Sequence, residues 1–443
     1  MNRFVQKLRY VKIGDILSFF TMLSAYPYAM ILKKKRPHIW LFCEDRNEAR
    51  DNGFWLYRYT CRFHPETDAV YAIEMDSQDL EKVRQIGKEV IPWGGIRHWA
   101  YYLAAEKNIS TQKDGKPNAA LCYLLEVYGI RKNKRAFLQH GIIHNDVEFL
   151  YYKNTKMSLF VCGARKEYEF IKSKFGYPEG AVKLLGLARY DGLHNFSVKE
   201  KQILIMPTWR KDIATPGRFD KRMDSADSFV RTEYYLAWKG LLDDLEFQKM
   251  IRQHHLQVIF YPHRCMQRFL HLFRSDDSDI TTAGQVLQKS GSDHSKSCRS
   301  GTVSDIPDLR DAGTDGSASD WSGILLADSA HYDVQELLRE SAFLITDYSS
   351  IAMDFAYMSK PLLYYQFDKE AFFSRQYGKG YFSYEEDGFG PVEYELSGVR
   401  EAVRKAIESG FQMEDQYRKR RNAFFDLDDA DNCERNYQAI LEM

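Results

Sequence analysis

The sequence predicts an α/β protein built from two sets of mostly parallel strands wrapped by helices. Three observations predict it. Short apolar runs alternate with amphipathic helical stretches through most of the chain, the pattern of β-α-β units. The runs fall into two groups, one between residues 38 and 186 and one beginning near Lys201. Each run of the second group ends in polar residues, and open parallel sheets bind ligands outside the carboxyl ends of their strands. A chain of 443 residues is long enough to fold as at least two domains. The reading is a basic and apolar segment over 1–36, a first domain over 37–196 and a second over 197–443, interrupted by an insertion at 274–322.

The first segment carries Arg3, Lys7, Arg9 and Lys12, then an uncharged run from Ile16 to Leu32, then Lys33, Lys34, Lys35 and Arg36. A spanning helix needs about 20 apolar residues. This run is shorter and contains Pro27, and a signal peptide would end in small residues, not in a basic block. The expectation is a segment lying in the interface of an anionic membrane, with Tyr26 and Tyr28 at headgroup level and the lysines as anchors. The plainer alternative is a first helix packed on the body of the protein.

In the first domain, HIWLFCE (38–44), AVYAIEM (69–75), KEVIPW (88–93), KRAFLQH (134–140), SLFVCG (158–163) and AVKLLG (181–186) read as strands. Asp51-Asn52-Gly53 is a turn opening the amphipathic FWLYRYTCRF, and Gly176 closes the helix ARKEYEFIKSKF. In the second domain QILIMPTWR, QVIFYPHR, GILLAD, AFLITDYSS and KPLLYYQFD begin as strands. Their ends bring Thr208-Trp209-Arg210, Pro262-His263-Arg264, Asp347 to Ser350 and Asp368 to one rim. A purely structural sheet has no need of that set of hydroxyls, histidine, arginines and carboxylates. Asp347-Tyr348-Ser349-Ser350 precedes a helical stretch, and free N–H groups plus two hydroxyls suit phosphate; taken alone, either serine is equally an N-cap.

Arg274 to Ser322 is dominated by Ser, Asp, Gly and Thr and reads as a flexible loop; Asp277-Ser278-Asp279 within it is a chance match to a metal-binding pattern. Asp333 to Glu336 forms a capping box that restarts order, and the helical stretch from Glu414 to Met443 can cross back to the first domain. Lys+Arg 62 balances Asp+Glu 62, so no basic field argues for nucleic acid. Seven scattered cysteines without a CxxC pair support neither a zinc site nor a disulfide framework, which makes a reducing, cytosolic setting the default. The sequence has no Walker A loop, HExxH or GxGxxG, which disfavours a P-loop NTPase, a zincin and a dinucleotide enzyme.

QHG (139–141), EYEFIKSKFGYPEGAVKLLGLARYDGL (167–193), PTWR (207–210), YPHR (261–264) and ITDYSSIAMDFAYMSKPLLYYQFD (345–368), together with DNGFWLYRY (51–59), resemble the CDP-glycerol glycerophosphotransferases of teichoic-acid and capsule synthesis. Each match alone is weak; the ordered set, spanning most of the chain from about residue 38, is specific. The resemblance implies a GT-B fold: two Rossmann-like domains facing across a cleft, the first offering the acceptor and the second holding the nucleotide. It also implies a peripheral position on the cytoplasmic face of a bacterial membrane. The chain departs from the family in having Leu138-Gln139-His140-Gly141-Ile142 where many members place Trp and Thr about the histidine. The insertion is a second departure.

The implied reaction is attack by an acceptor hydroxyl on the glycerol-bearing phosphorus of CDP-glycerol, releasing CMP. An alcohol needs a nearby base and the pyrophosphate needs its charge held. His140 is then the base. His263, Arg210, Ser349 and Ser350 hold the phosphates, with Thr208 on the same rim, and Asp347 orients donors or binds glycerol. His144, His254 and His255 are read as structural, and Arg189 and Asp191 as structural or functional alike. No tightly bound cofactor is expected, and a divalent metal is left open. The partners expected are CDP-glycerol, a lipid-linked or polymer acceptor and an anionic membrane surface. Two other classes share the pattern: a GT-B glycosyltransferase using a nucleotide sugar for cell-surface polysaccharide, separated by donor identity, and a membrane-bound assembly factor without turnover, against which the intact histidine, arginine and serine set argues.

Overall fold

The computed structural model describes residues 12–131, 133–194, 196–214, 226–274, 280–282, 323–376 and 378–443. Two seven-stranded sheets, parallel throughout, organise it. The first comprises β1 (Trp40–Cys43), β2 (Ala69–Ile73), β3 (Glu89–Pro92), β4 (Lys107–Ser110), β5 (Lys134–Phe137), β6 (Leu159–Cys162) and β7 (Val182–Leu184), in the order β3-β2-β1-β4-β5-β6-β7. The second comprises β8 (Lys199–Ile205), β9 (Gln257–Phe260), β10 (Ile280–Thr282), β11 (Gly323–Leu326), β12 (Ser341–Thr346), β13 (Leu362–Tyr365) and β14 (Val392–Glu393), in the order β10-β11-β9-β8-β12-β13-β14. Strands buried on both faces read as continuous apolar runs, as β1, β2, β6, β11, β12 and β13 do. The order reverses between β1 and β4 in one sheet and between β8 and β12 in the other. At such a switch point adjacent connections leave in opposite directions and open a crevice. The loops flanking the second crevice are those carrying Thr208 to Arg210 and Asp347 to Ser350.

Three features differ from the sequence reading. β4 and β14 appear in addition to the expected strands, and β10 lies inside the tract read as a flexible loop, paired in parallel with β11. The rest of that tract, including Asp277, Ser278 and Asp279, falls outside the described residues, as do Arg3, Lys7 and Arg9.

The N-terminal segment is one helix, α1 (Ile13–Lys35), that continues through Pro27. It is long and apolar enough to cross a membrane by length and composition. It packs on α3 (Ile96–Ala104), which follows α2 (Asn52–Phe63) and the short helix Leu80–Arg84 in the chain. Ala25 and Ala29, one turn apart, let α1 approach closely, and with Leu32 they are buried beside Trp99, Tyr101 and Tyr102. The Trp99 indole N–H donates to Ser18 Oγ at 3.1 Å. Ile13, Ile16, Leu17, Phe20, Leu23, Met30 and Ile31 remain at least half exposed. The helix is therefore neither a buried core helix nor detached from the body: one narrow face is packed and a wide apolar face is bare.

The chain closes by returning to the first domain. The last helix, α6 (Asn432–Leu441), follows α4 (Arg165–Lys174) and α5 (Ile351–Tyr357) and packs on α2 and on the 3₁₀ turn Ala188–Leu193. Asp191 accepts from the backbone N–H groups of Asn432 and Cys433 at 2.9 and 2.8 Å, and the buried Lys107 donates to the carbonyls of Ile440 and Leu441 at its far end. Tyr437 and Ile440 join Trp40, Tyr57 and Tyr71 in one apolar cluster. Residues 432–441 thus complete the first core although the sequence division assigned them to the second domain. Ile440→Ala should lower stability by about 2–5 kcal/mol, read from the urea midpoint; a change below about 0.5 kcal/mol, the range of surface sites, would remove this helix from the first core.

Candidate active site

His140 stands two residues beyond Leu138, just past the carboxyl end of β5. The turn presenting it is strained. Gln139 is fully buried and has φ 63°, a region costly for a residue with a side chain. Its carbonyl accepts from Asn52 Nδ2 at 2.9 Å, and its own side-chain amide donates to the Val161 carbonyl. Held in this way, the His140 ring projects into the cleft with 71 % of its side chain exposed. Nδ1 of His140 meets Asp51 Oδ2. The charge of the Asp51 carboxylate, with its bond to Nδ1, raises the histidine's pKa against the opposing charge of Arg189.

Asp51, Asn52 and Gly53 act as a unit that sequence reading reduced to a turn. Asp51 caps α2, its Oδ1 accepting from the Asn52 N–H at 2.7 Å. Asn52 reaches Gln139 on one side and accepts the Arg189 N–H on the other at 2.9 Å. Gly53 leaves room for Glu44, since an added Cβ would lie 2.9 Å from Glu44 Cγ. The buried Glu44 accepts from the N–H groups of Arg50, Asp51 and Phe54 at 3.0, 3.2 and 2.6 Å. Burial, then the charge of Asp51, pushes Glu44 up to about 8.

Arg189 joins the two domains. Its Nη1 donates to Asp51 Oδ1 and to the His140 carbonyl, both at 3.0 Å. Its Nε and Nη2 grip Asp354 of α5 at 2.7–3.0 Å. Both side chains are almost wholly buried, and the Tyr190 hydroxyl donates to Asp354 as well. Burial raises the Asp354 carboxyl in spite of this pairing.

The second rim gathers the residues expected there. Asp347, fully buried, accepts from the N–H groups of Thr208 and Tyr348 at 2.8 and 2.7 Å, tying the loops of β8 and β12 across the switch point. Arg210 is 4 % exposed and lies behind this rim. Its guanidinium bonds Asp368 at 2.7 and 3.1 Å, meets Asp347 Oδ2 at 2.8 Å and donates to the Thr208 carbonyl at 2.8 Å. The rings of Tyr348, Phe372 and Tyr234 lie about it with centroids 5.0–5.3 Å away. Arg210, expected to hold phosphate, is here bonded to carboxylates of its own domain. Three of its five N–H donors are bonded and its charge is already matched by two carboxylates. Asp347 is likewise a structural tie, its carboxyl raised by burial against the pull of Arg210. Ser349 and Ser350 are partly exposed, and Ser350, at the N-cap position of α5, makes no side-chain capping bond. Ser349 Oγ accepts only a long bond from the Ile351 N–H at 3.4 Å. Ser350 faces the first domain: a Cβ on Gly141 would lie 2.7 Å from its Oγ. The QHG turn and the serine turn touch.

His263 stands half-buried at the end of β9, its Nδ1 accepting from the Cys265 N–H at 3.3 Å. That bond selects the neutral Nε2–H tautomer. Burial, then the charges of His140 and Arg264, depress His263 to about 3. Arg264 itself bridges to Asp45 and Glu48 of the first domain at 3.1 and 2.8 Å. His144 is structural, buried and bonded through Nε2 to the Tyr384 hydroxyl at 3.0 Å.

Two parallel-sheet α/β domains thus meet with a histidine from each, His140 and His263, near the line of contact. The family model for CDP-glycerol:poly(glycerophosphate) glycerophosphotransferase matches residues 24–283 and 313–442, and the chain belongs to that family. It is similar over its whole length to the minor teichoic acid biosynthesis protein GgaB of Bacillus subtilis (strain 168), at 28 % identity over 458 aligned positions that cover 45 % of that protein. A stretch of 85 residues, 19 % of this chain and 11 % of its match, is 33 % identical to a teichoic acid poly(glycerol phosphate) polymerase of the same strain. The chain thus spans less than half the length of these relatives. Its fold is similar to the wall teichoic acid polymerase TagF, with TM-score 0.59 at 14 % identity, covering 98 % of this chain and 99 % of that one. A TagF variant soaked with CDPG matches with TM-score 0.59 over 96 % and 98 % of the two chains at 14 % identity.

Arg189→Met should cost about 3–5 kcal/mol by stranding Asp354 as a buried unpaired charge, whereas Arg189→Met with Asp354→Leu should recover much of that loss. Urea denaturation of both decides it, and additive losses would show that the pair is not coupled.

Proposed function

We propose that the chain transfers glycerol phosphate from CDP-glycerol to an acceptor hydroxyl in teichoic-acid or capsular polymer synthesis, releasing CMP. The observation that carries this reading, within the family, is the contact of the QHG turn with the serine turn: a base borne by one domain stands beside the hydroxyls of the other. The acceptor oxygen forms a bond to the glycerol-bearing phosphorus as the bond from that phosphorus to the bridging oxygen breaks. Its proton passes to His140 Nε2, and the electron pair leaves with CMP. Ser349 and Ser350 hold the phosphates through their hydroxyls. His263 contributes its Nε2–H. A phosphate monoester has a second pKa of about 6, so CMP departs as an anion that needs charge stabilisation and no acid. A neutral hydrogen-bond donor suits that place. Arg210 acts indirectly, holding Asp347 and through it the 208 and 347 loops.

His140→Ala should lower kcat by about 100- to 10,000-fold with the CDP-glycerol Kd unchanged, while Ser349→Ala should weaken donor binding. Calorimetry beside CMP-release kinetics reads both; near-normal turnover in His140→Ala would discard the base. CDP-ribitol and UDP-sugars as alternative donors test the donor class, since release of UDP without CMP would favour a glycosyltransferase.

The bare face of α1, with Lys33 to Lys35 at its end, is proposed to rest on an anionic cytoplasmic membrane face. Removing α1 would uncover Trp99, so the variants to use are Phe20→Asp and Leu23→Asp, which change only exposed positions. Together they should abolish sedimentation with phosphatidylglycerol vesicles and preserve turnover of a soluble acceptor analogue. Undiminished sedimentation would assign membrane binding elsewhere.

A further inference from the structure

We infer that Asp51 is the positioning residue for His140, holding its Nδ1–H so that Nε2 is the atom left to take the acceptor's proton; this rests on the reading of His140 as the base. Asp51 is immobile. Its N–H is held by Glu44, and its Oδ1 accepts from the Asn52 N–H and from Arg189 Nη1, leaving a side chain 14 % exposed. Its Oδ2 meets His140 Nδ1. An ionised carboxylate can only accept, so Nδ1 carries the hydrogen and the neutral ring has its lone pair on Nε2. Nε2 has no partner among the described residues. The main chain beneath the ring is fixed as well, through the Gln139 and His140 carbonyls bonded to Asn52 and Arg189.

A helix cap would not require this arrangement. Capping α2 uses Oδ1 alone, and Oδ2 is free to face solvent, yet it is turned onto the histidine of a strand 89 residues away. Glu44 reinforces the assignment by geometry, since it accepts the Asp51 N–H and fixes the main chain that carries the carboxylate. Burial works against the Asp51 carboxylate, but His140 and Arg189 outweigh it and hold Asp51 below the usual range.

The charges bearing on His140 are Asp51 and Glu48 from the loop after β1 and Arg189 from the 188–193 turn, and His263 of the second domain is coupled to it. Asp51 dominates and stabilises the imidazolium. The base form is populated above this raised pKa, so kcat/KM rises with pH through it. Removing the Asp51 charge moves that limb to lower pH.

The test uses the full chain labelled with ¹⁵N-histidine, with His140→Gln to assign its resonances. The neutral His140 ring should be the Nδ1–H tautomer, and an Nε2–H tautomer overturns the inference. In kinetics, Asp51→Asn should lower kcat at least about tenfold, shift the acidic limb down and leave the CDP-glycerol Kd within about twofold. An unmoved limb with unchanged kcat also overturns it. Should Asp51→Asn fail to fold, the wild-type tautomer still decides. Near-normal turnover in His140→Ala would sink the base reading while leaving the tautomer result standing, so the two failures are distinguishable.

Discussion

The buried Arg189–Asp354 pair is the constraint on which the rest of the molecule depends. A guanidinium that has left water is tolerated only where its donors and charge are matched, and Arg189 is matched from both domains at once. Asp354 comes from the helix after the serine turn. Asp51 and the His140 carbonyl come from the first domain, and Asn52 holds the Arg189 main chain. The domains therefore cannot part without stranding a charge on each side. The same guanidinium that fixes their contact touches both the backbone and the carboxylate that hold the histidine.

The charges about this contact sum in an informative way. Asp51 and Asp354 oppose Arg189 and a protonated His140, which is neutral overall. Loss of the histidine proton leaves one excess negative charge, so the cluster itself favours return of the proton, the property a base requires. The second rim repeats half of this design without the histidine, with Asp347 and Asp368 facing Arg210. That triad has no positive charge to spare for a pyrophosphate. The sequence reading assigned Arg210 to the phosphates on local grounds. A rim arginine beside Thr208 has the composition of a phosphate ligand, but whether its fork points outward depends on carboxylates 137 and 158 residues downstream, and no local pattern encodes that.

The same distinction between local and long-range determinants separates what was legible from what was not. Strands buried on both faces, such as LFVC (159–162) and SAFLIT (341–346), announce themselves as apolar runs whatever surrounds them. KNIS (107–110) did not, because Lys107 is buried only by virtue of the helix end it caps, 333 residues away. The two-residue strand Val392–Glu393 is set by pairing with β13 and has no pattern of its own. His140, His263, Ser349 and Ser350 were visible because strand ends collect at one rim in any parallel sheet. Asp51 was visible only as part of a turn, since its second oxygen is spent on a partner that the fold, not the neighbouring sequence, supplies.

The two rim histidines illustrate what tertiary context adds to residue type. Both begin from the same imidazole. Asp51 draws His140 upward, whereas burial and the positive charges of His140 and Arg264 drive His263 down. Their hydrogen bonds are opposed as well: Nδ1 of His140 faces an acceptor and Nδ1 of His263 faces a donor. In their neutral forms the rings are therefore opposite tautomers, one presenting a lone pair at Nε2 and the other an N–H. On the proposed reading, the first meets a hydroxyl that must lose its proton and the second an oxygen that gains negative charge. Because His140's own charge helps to keep His263 neutral, protonating the base does not disarm the donor. The two assignments follow from the environments and could not be exchanged without exchanging Asp51 for the Cys265 N–H.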